Sequence, residues 1–322
     1  MGNRLRILLI IIIVISGIGF MFYNRYKDKV AMKSESIWSI GIYKGKDPLH
    51  IAPADDIRNP VFDASMVTDV QASFVADPFL WKKDSLWYLF FEVLNKKDMK
   101  GDIGYACSKD LKKWTYGKII IDCKYHLSYP YVFEWNDSMF LIPESAEAGF
   151  LSLYYAKDFP EKWELIDTLL HGNFGDHAIV RYKNEWWLYA GAEPHRNNIL
   201  KLYHSENLHG KWIEHPLSPI VKNRADIARP GGRMLIYNNN LVRFTQNCKK
   251  TYGKEVNAYI VRNMDANKYD EVAFKGNPII EHGKEHWALH GMHQVDAWQI
   301  QDSLYIAAVD GYNKKITLSL EF

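Results

Sequence analysis

The stretch from Phe74 to Glu92, FVADPFLWKKDSLWYLFFE, decides how this chain folds. It opens on Ala-Asp-Pro-Phe, turns at Asp84-Ser85, continues as a strand of alternating aromatic residues and closes on a carboxylate. The same logic recurs along the chain. The copies are SYPYVFEWNDSMFLIPES (Ser128 to Ser145), GDHAIVRYKNEWWLYAGAE (Gly175 to Glu193), ARPGGRMLIYNNNLVRFTQN (Ala228 to Asn247) and HQVDAWQIQDSLYIAAVDGY (His293 to Tyr312). Each is a pair of period-2 apolar runs around a short Asn- or Asp-bearing turn, the signature of a β-hairpin. The hairpins close on Glu92, Glu144, Glu193, Gln246 and Asp310, at spacings of 52, 49, 53 and 64. Strand-built repeats of this length predict blades around an axis, because one small sheet cannot bury both of its faces.

A second repeat is interleaved with the first. Asp102 to Tyr116, Leu151 to Ile166 and Ile199 to His215 each run as strand, charged turn, Trp and strand, and Val256 to Phe274 has Tyr269 in the Trp position. The last hairpin lacks this element. SIWSIGIYKG, Ser36 to Gly45, is expected to supply the missing strand from the N-terminal side and close the ring, which removes exposed sheet edges. The expectation is an all-β five-bladed β-propeller over residues 31–322; a two-sheet sandwich would not explain the period.

Composition agrees. Eleven Trp, 20 Tyr and 15 Phe suit pleated, half-buried surfaces. A net charge of +2 gives no reason to expect nucleic acid as a partner. Cys107, Cys123 and Cys248 show no CxxC spacing, so neither a disulfide framework nor a structural zinc site is expected, and the thiols read as buried and inert. At the N-terminus, Ile7 to Tyr23 is a run of 17 residues without a charge, between Arg4 and Arg6 on one side and Arg25, Lys27 and Lys29 on the other. That length is at the short end of the roughly 17 to 25 residues that span a bilayer. Gly17-Ile18-Gly19 is a poor cleavage site, so residues 1–30 read as an uncleaved signal anchor and the chain as a single-pass membrane protein. Basic residues on both flanks leave the positive-inside rule silent; a very short tail usually stays inside, which would place the propeller outside the cytoplasm.

The first strand of each propeller blade lines the channel. That geometry is expected to gather Asp77, Tyr129, Asp176, Arg229, and His293 or Asp296 at one mouth, with Glu144 and Glu193 one strand outward. Several acids in a cleft with aromatics suit glycoside chemistry, in which one carboxylate activates a nucleophile and another protonates the leaving oxygen. Asp77, Glu144, Asp176 and Glu193 are the catalytic candidates; Tyr129, His177, Arg229, His290, His293 and Asp296 are the substrate-binding candidates. The plain alternatives are an Asp-Pro turn and a structural acidic network. Arg229 offers bidentate bonds to a substrate anion, or an ion pair with Asp226 or a channel acid. In RPGGR, Arg229 to Arg233, the adjacent glycines let the backbone approach something closely. His286, His290 and His293 have the spacing of a metal-binding helix face, but Gly283 and Gly291 argue against a long helix and no HExxH is present. No cofactor is therefore expected, with a channel metal ion as the minor alternative.

In order, SIWSIGIYKG, ADPFL, WYLFFE, GDIGYACSKDLKKW, YPYVF, LIPES, GDHAI and ARPGGR resemble the N-terminal β-propeller domain of glucosamine inositolphosphorylceramide transferases and its stand-alone bacterial relatives. More distantly, the pattern is similar to the five-bladed propellers of family 43 glycoside hydrolases. That likeness implies a base Asp in the first blade, matched by Asp77, a pKa-tuning Asp in the second and an acid Glu in the third. The second blade opens Ser128-Tyr129-Pro130 without an Asp, so Asp176 would take the tuning role with Glu144 or Glu193 as acid. In the plant transferases the resemblance places the glycosyltransferase module in a separate C-terminal domain. The function expected is a membrane-anchored protein that cleaves or transfers a glycosidic bond of a glycan or glycoconjugate, with a non-catalytic glycan-binding module as the alternative. A protein-binding scaffold fits the fold but not the convergent acids.

Overall fold

Three of the expected hairpin turns hold two successive residues in the left-handed region: Asn136 and Asp137 (φ 48° and 58°), Lys183 and Asn184 (52° and 66°), and Asn238 and Asn239 (49° and 60°). Such turns carry the right-handed twist of the flanking strands, which is why Asn and Asp are favoured there. In the computed structural model, which describes Gly2 and residues 11–21 and 30–320, these hairpins form the inner halves of blades in a five-bladed β-propeller.

From the channel outward, the first blade is Ala72–Lys83, Leu86–Asn95, Lys100–Ser108 and Thr115–Ile121. The second is Ser128–Trp135, Ser138–Glu144, Phe150–Asp158 and Lys162–His171. The third runs Phe174–Tyr182, Glu185–Ala192, Ile199–Ser205 and Ile213–Glu214, and the fourth Leu235–Tyr237, Asn240–Gln246, Glu255–Asp265 and Lys268–Ala273. The repeated Trp has a clear task in the first two blades. Trp114 and Trp163 donate their indole N–H to the carbonyls of Leu111 and Pro160, fastening the charged turn before the outer strand.

The fifth blade is composite. Val295–Gln301 and Leu304–Leu320 pair with the N-terminal strand Val30–Asp47, and His50–Pro53 forms the outer edge. The N-terminal segment thus supplies two strands where one was expected. Ile40 and Ile42 on the closing strand are fully buried, each contributing about 2 kcal/mol of transfer free energy. Asn59 braces the strand by accepting from the Ile42 N–H at 2.8 Å.

The chain divides into two units, and Ile37–Asn313 is the propeller. The other, Met1–Ser36 with Lys314–Phe322, contains a helix at residues 11–21 with exposed side chains. Among the described residues no helix is long and apolar enough to cross a membrane, and the rest of the Ile7 to Tyr23 run lies outside them. The three cysteines are free and half-buried, less enclosed than their apolar character suggested.

The glycines of RPGGR do bring backbones together. Gly232 bridges Val295 in parallel, with φ 143°, and a Cβ added there would lie 1.8 Å from the Val295 carbonyl oxygen. Gly232→Ala should therefore lower stability by about 2 kcal/mol or more. Urea unfolding measures this, and an unchanged midpoint would show that the bridge yields freely.

Candidate functional site

Each of the first three blades carries a bulge at the same place on its inner strand. Ala76 pairs with Glu92 and Phe79 with Phe90, so Asp77 and Pro78 stand opposite Phe91 alone. Tyr129 and Pro130 do the same between the Ser128–Glu144 and Tyr131–Ile142 pairs, as do Gly175 and Asp176 between Phe174–Ala192 and His177–Ala190. A bulge re-aims the side chain it carries. Asp77 and Tyr129 accept positive φ (55° and 47°) to do so, and proline follows each because the bulged residue has no ladder partner to serve.

Arg229, from the start of the fourth blade, clamps two carboxylates of other blades. Its Nε and Nη2 donate to Asp176 at 2.7 and 2.9 Å, Nη2 also reaches Glu144 Oε2 at 2.9 Å, and Nη1 donates to Asn197 Oδ1 at 2.8 Å. All three charged groups are buried. Of the sequence alternatives for Arg229, the pair with channel acids holds, while Asp226 pairs with Arg224 instead. The two acids are driven apart. Burial pushes the Glu144 carboxyl well above its usual range, and ionised Asp176 beside it adds to the rise. Asp176 is equally buried, yet the Arg229 charge and hydrogen bonds from Glu144 and Arg229 hold it below the usual carboxylate range. Gln246 also donates to Asp176.

His293 organises the other side of the mouth. Its Nδ1 lies 2.8 Å from Asp310 Oδ1, its Nε2 lies 3.6 Å from Asp77 Oδ1, and Trp38 stacks on its face at 4.0 Å. Burial disfavours the imidazolium, but the Asp310 charge and hydrogen bond, followed by Asp77, outweigh it and raise the pKa to about 9. Asp77 accepts from the Tyr129 N–H at 3.2 Å and gives its own N–H to Asp310 at 2.9 Å. Burial raises its pKa well above the usual value, with the His293 charge opposing. Asp77, His293 and Asp310 offer ligand atoms within 4.8 Å of one another, a set able to hold a cation, although His293 Nδ1 is already committed to Asp310. The helix face of His286, His290 and His293 does not form, since His286 sits in the single turn His286–Ala288.

The remaining candidates separate by depth. Tyr129 is fully buried in the floor, where its oxygen accepts from Gly232 N–H at 2.7 Å. His177 lies among Tyr129 and Tyr131 with ring centroids at 5.5 and 5.9 Å, and burial lowers its pKa to about 4, so it is a neutral member of the channel plug. Asp296 is fully buried and paired with Arg233 at 2.7 Å, while Arg233 spreads over Tyr131 and Trp298. It too belongs to the plug. His290 stacks on Tyr312 at 6.0 Å, behind Trp38, and does not line the cleft. Glu193 is one residue past the register of Glu92 and Glu144, a place that Ala192 occupies in the third blade. Its side chain is 51% exposed and pairs with Arg196 at 3.5 Å on the cleft rim.

A cleft of about 780 Å³ opens above the clamp, lined by His126, Glu144, Glu147, Glu193, Arg229 and Tyr252 among others. Asn197 and Gln246, which bond to the clamp, escaped the sequence reading, as did three groups around His293. Asp310 was visible as a repeat terminus in register with the acids, Trp38 lies in the closing strand, and Tyr252 occupies a loop with no counterpart in the repeat.

A five-bladed propeller with acids around one channel mouth defines the class. Solved structures of this fold include the β-1,2-mannobiose phosphorylase from Listeria innocua, with a TM-score of 0.61, 13% identity, and 84% of this chain and 96% of that one covered. A thermostable family-43 glycoside hydrolase has a TM-score of 0.56, 14% identity, and 83% and 97% covered. Within the class, the chain belongs to the family described as glucosamine inositolphosphorylceramide transferase 1, N-terminal, whose model matches residues 30–312. Relatives named glucosamine inositolphosphorylceramide transferase 1 are 33% identical in Oryza sativa subsp. japonica and 32% in Arabidopsis thaliana. The alignments cover 86% of this chain but only 40% and 39% of those relatives, so the chain spans about two fifths of their length.

The imidazolium has a consequence for stability. In the unfolded chain His293 loses its proton near pH 6.5, but in the fold it keeps it to about pH 9. Its contribution is complete below pH 6.5 and is lost as pH rises through about 9. The gap in melting temperature between the parent chain and His293→Gln should shrink across that window. A gap independent of pH would mean that the ring is neutral in the fold.

Proposed function

We propose that the chain is a carbohydrate-active protein whose cleft takes a glycan, with Glu144 as general acid and Asp77 as general base in cleaving or transferring a glycosidic bond. The observation that carries this is a divided pair of carboxyls, Glu144 in the cleft lining and Asp176 buried behind it. Burial pushes the Glu144 carboxyl well above the usual range, while Asp176, bonded to the same guanidinium, is held below it. Two carboxyls whose environments separate their pKa values suit an acid and its tuning partner. In the step, Glu144 gives its proton to the leaving oxygen as the C1–O bond breaks and its electron pair passes to that oxygen. Asp77 acts in its ionised form, which the His293 imidazolium 3.6 Å away favours against burial, and takes the proton of the incoming hydroxyl as the new C1–O bond forms. The names of the plant relatives make a glucosamine donor and an inositolphosphoryl lipid acceptor the first substrates to try.

A second reading, a glycan-binding module without turnover, is favoured by the burial of Asp77, which is 4% exposed and does not line the cleft. Chromogenic glycosides and glucosamine donors, tested with parent, Glu144→Gln and Asp77→Asn chains, separate the two. Catalysis requires turnover that falls about 100-fold or more in each variant. Glycan binding with no turnover in the parent chain would establish the module.

We also propose that residues 1–30 anchor the chain in a membrane with the propeller outside the cytoplasm. The support is the charge-free run from Ile7 to Tyr23 and its basic flanks. The chain should stay with membranes after a high-salt or carbonate wash, and a protease added to intact cells should reach the propeller. Release by the wash would refute the anchor, and protection from the protease would reverse the orientation.

A further inference from the structure

Tyr252 stands apart among the residues around the cleft. It is the one Phe, Tyr or Trp lining it among the described residues, and 43% of its surface is exposed beside the buried Glu144 and Arg229. The Arg229 guanidinium lies 5.3 Å from its ring centroid, and the ring meets His293 (5.3 Å) and Trp38 (6.5 Å) edge-on.

The loop that carries Tyr252 is pinned at both ends. Cys248 N–H donates to Ala225 O at 2.8 Å, Asn247 and Lys254 bond across the base at 3.0 Å, and Met292 N–H donates to Lys254 O at 3.3 Å. Gly253 (φ 60°) packs so near His293 that an added Cβ would lie 2.8 Å from its ring. A ring held by Arg229 and two aromatic edges, on a fastened loop, has lost most of its side-chain freedom before any ligand arrives.

We propose that Tyr252 is the stacking platform of a pyranose subsite above the acid cluster, selecting sugars that present a continuous face of C–H bonds. This rests on the glycan-binding reading of the cleft. A glucose-configured ring carries its C1, C3 and C5 hydrogens on one face in the β-glycoside. Those weakly positive hydrogens meet the negative face of the phenol, while the equatorial hydroxyls project sideways. The cleft is also lined by Glu147, Glu193, Arg196 and His126, which can accept from and donate to hydroxyls. A flat aromatic face beside polar groups that fix orientation is a common makeup of small-molecule sites. The platform sets which ring enters and leaves bond-making to Glu144.

The test is saturation-transfer difference NMR and titration on the full chain in a detergent without a sugar headgroup. The probes are the methyl β-pyranosides of glucose, galactose, glucosamine and mannose. At least one should bind, with saturation concentrated on the protons of one ring face. Affinity should fall about tenfold in Tyr252→Ala and in Tyr252→Leu, which keeps apolar bulk without the π face, and change less than about threefold in Tyr252→Phe. Binding that survives Tyr252→Ala and Tyr252→Leu but falls in Glu144→Gln would overturn the platform while leaving the cleft as a glycan site. A loss in Tyr252→Phe equal to that in Tyr252→Ala would assign the contact to the hydroxyl and also overturn it. No binding of any probe to the parent chain would overturn the platform and the glycan reading together. Melting temperatures of the variants separate lost affinity from lost fold.

Discussion

Removing carboxylates from water is the constraint around which the channel mouth is built. Asp77, Glu92, Glu144, Asp176 and Asp310 are all buried there, and an unpaired buried charge costs several kcal/mol. Arg229 and His293 are the cations that make the arrangement tolerable, one bonded to Glu144 and Asp176, the other to Asp310 and beside Asp77. The surrounding chain follows from these two. The loop after the second strand of the third blade is tied to Arg229 through Asn197 and the Pro194 carbonyl, and the loop of the fourth blade lays Tyr252 against the same guanidinium. A third basic group, His126, lies 3.3 Å from Glu92, and burial raises the proton affinity of Glu144 and Asp77.

The same electrostatics separates a layer that meets the cleft from one that fills the channel. Below the mouth, Asp296 spends its charge on Arg233, and His177 stays neutral among tyrosines. These groups fill the channel as a plug of rings and one ion pair. Above them, Glu144 lines the cleft, and burial raises its carboxyl well above the usual range. Depth along the channel, rather than residue type, divides the candidates.

Much of this was legible before any coordinates. The hairpin period announced the blades, Asn and Asp marked the turns, and the segment around Trp38 announced a closure from the N-terminal side. What the pattern could not convey was register at the level of one residue. The strand ends are legible by residue type and not by pairing, so Glu193 looked equivalent to Glu144 although Ala192 holds that place. For the same reason Asp176 reached the mouth while its neighbour His177 turned into the plug. Tyr252 was invisible for a different reason: it belongs to no repeat, and only tertiary packing makes it part of the site.

Trp38 links the site to the order in which the chain is made. It emerges early, on the strand that completes the last blade, yet its stacking partner His293 is among the late residues. While the first four blades can pair their strands as each is produced, this contact waits until most of the chain exists. The imidazole that holds Asp77 and Asp310 is therefore enclosed only on ring closure, one of the most sequence-distant contacts in the propeller and so entropically slow to form. A propeller with an open seam would leave that ring facing water, and the charge balance of the mouth would be missing. Completion of the circle and assembly of the acid cluster are the same event, so a partly folded molecule does not carry part of the cluster.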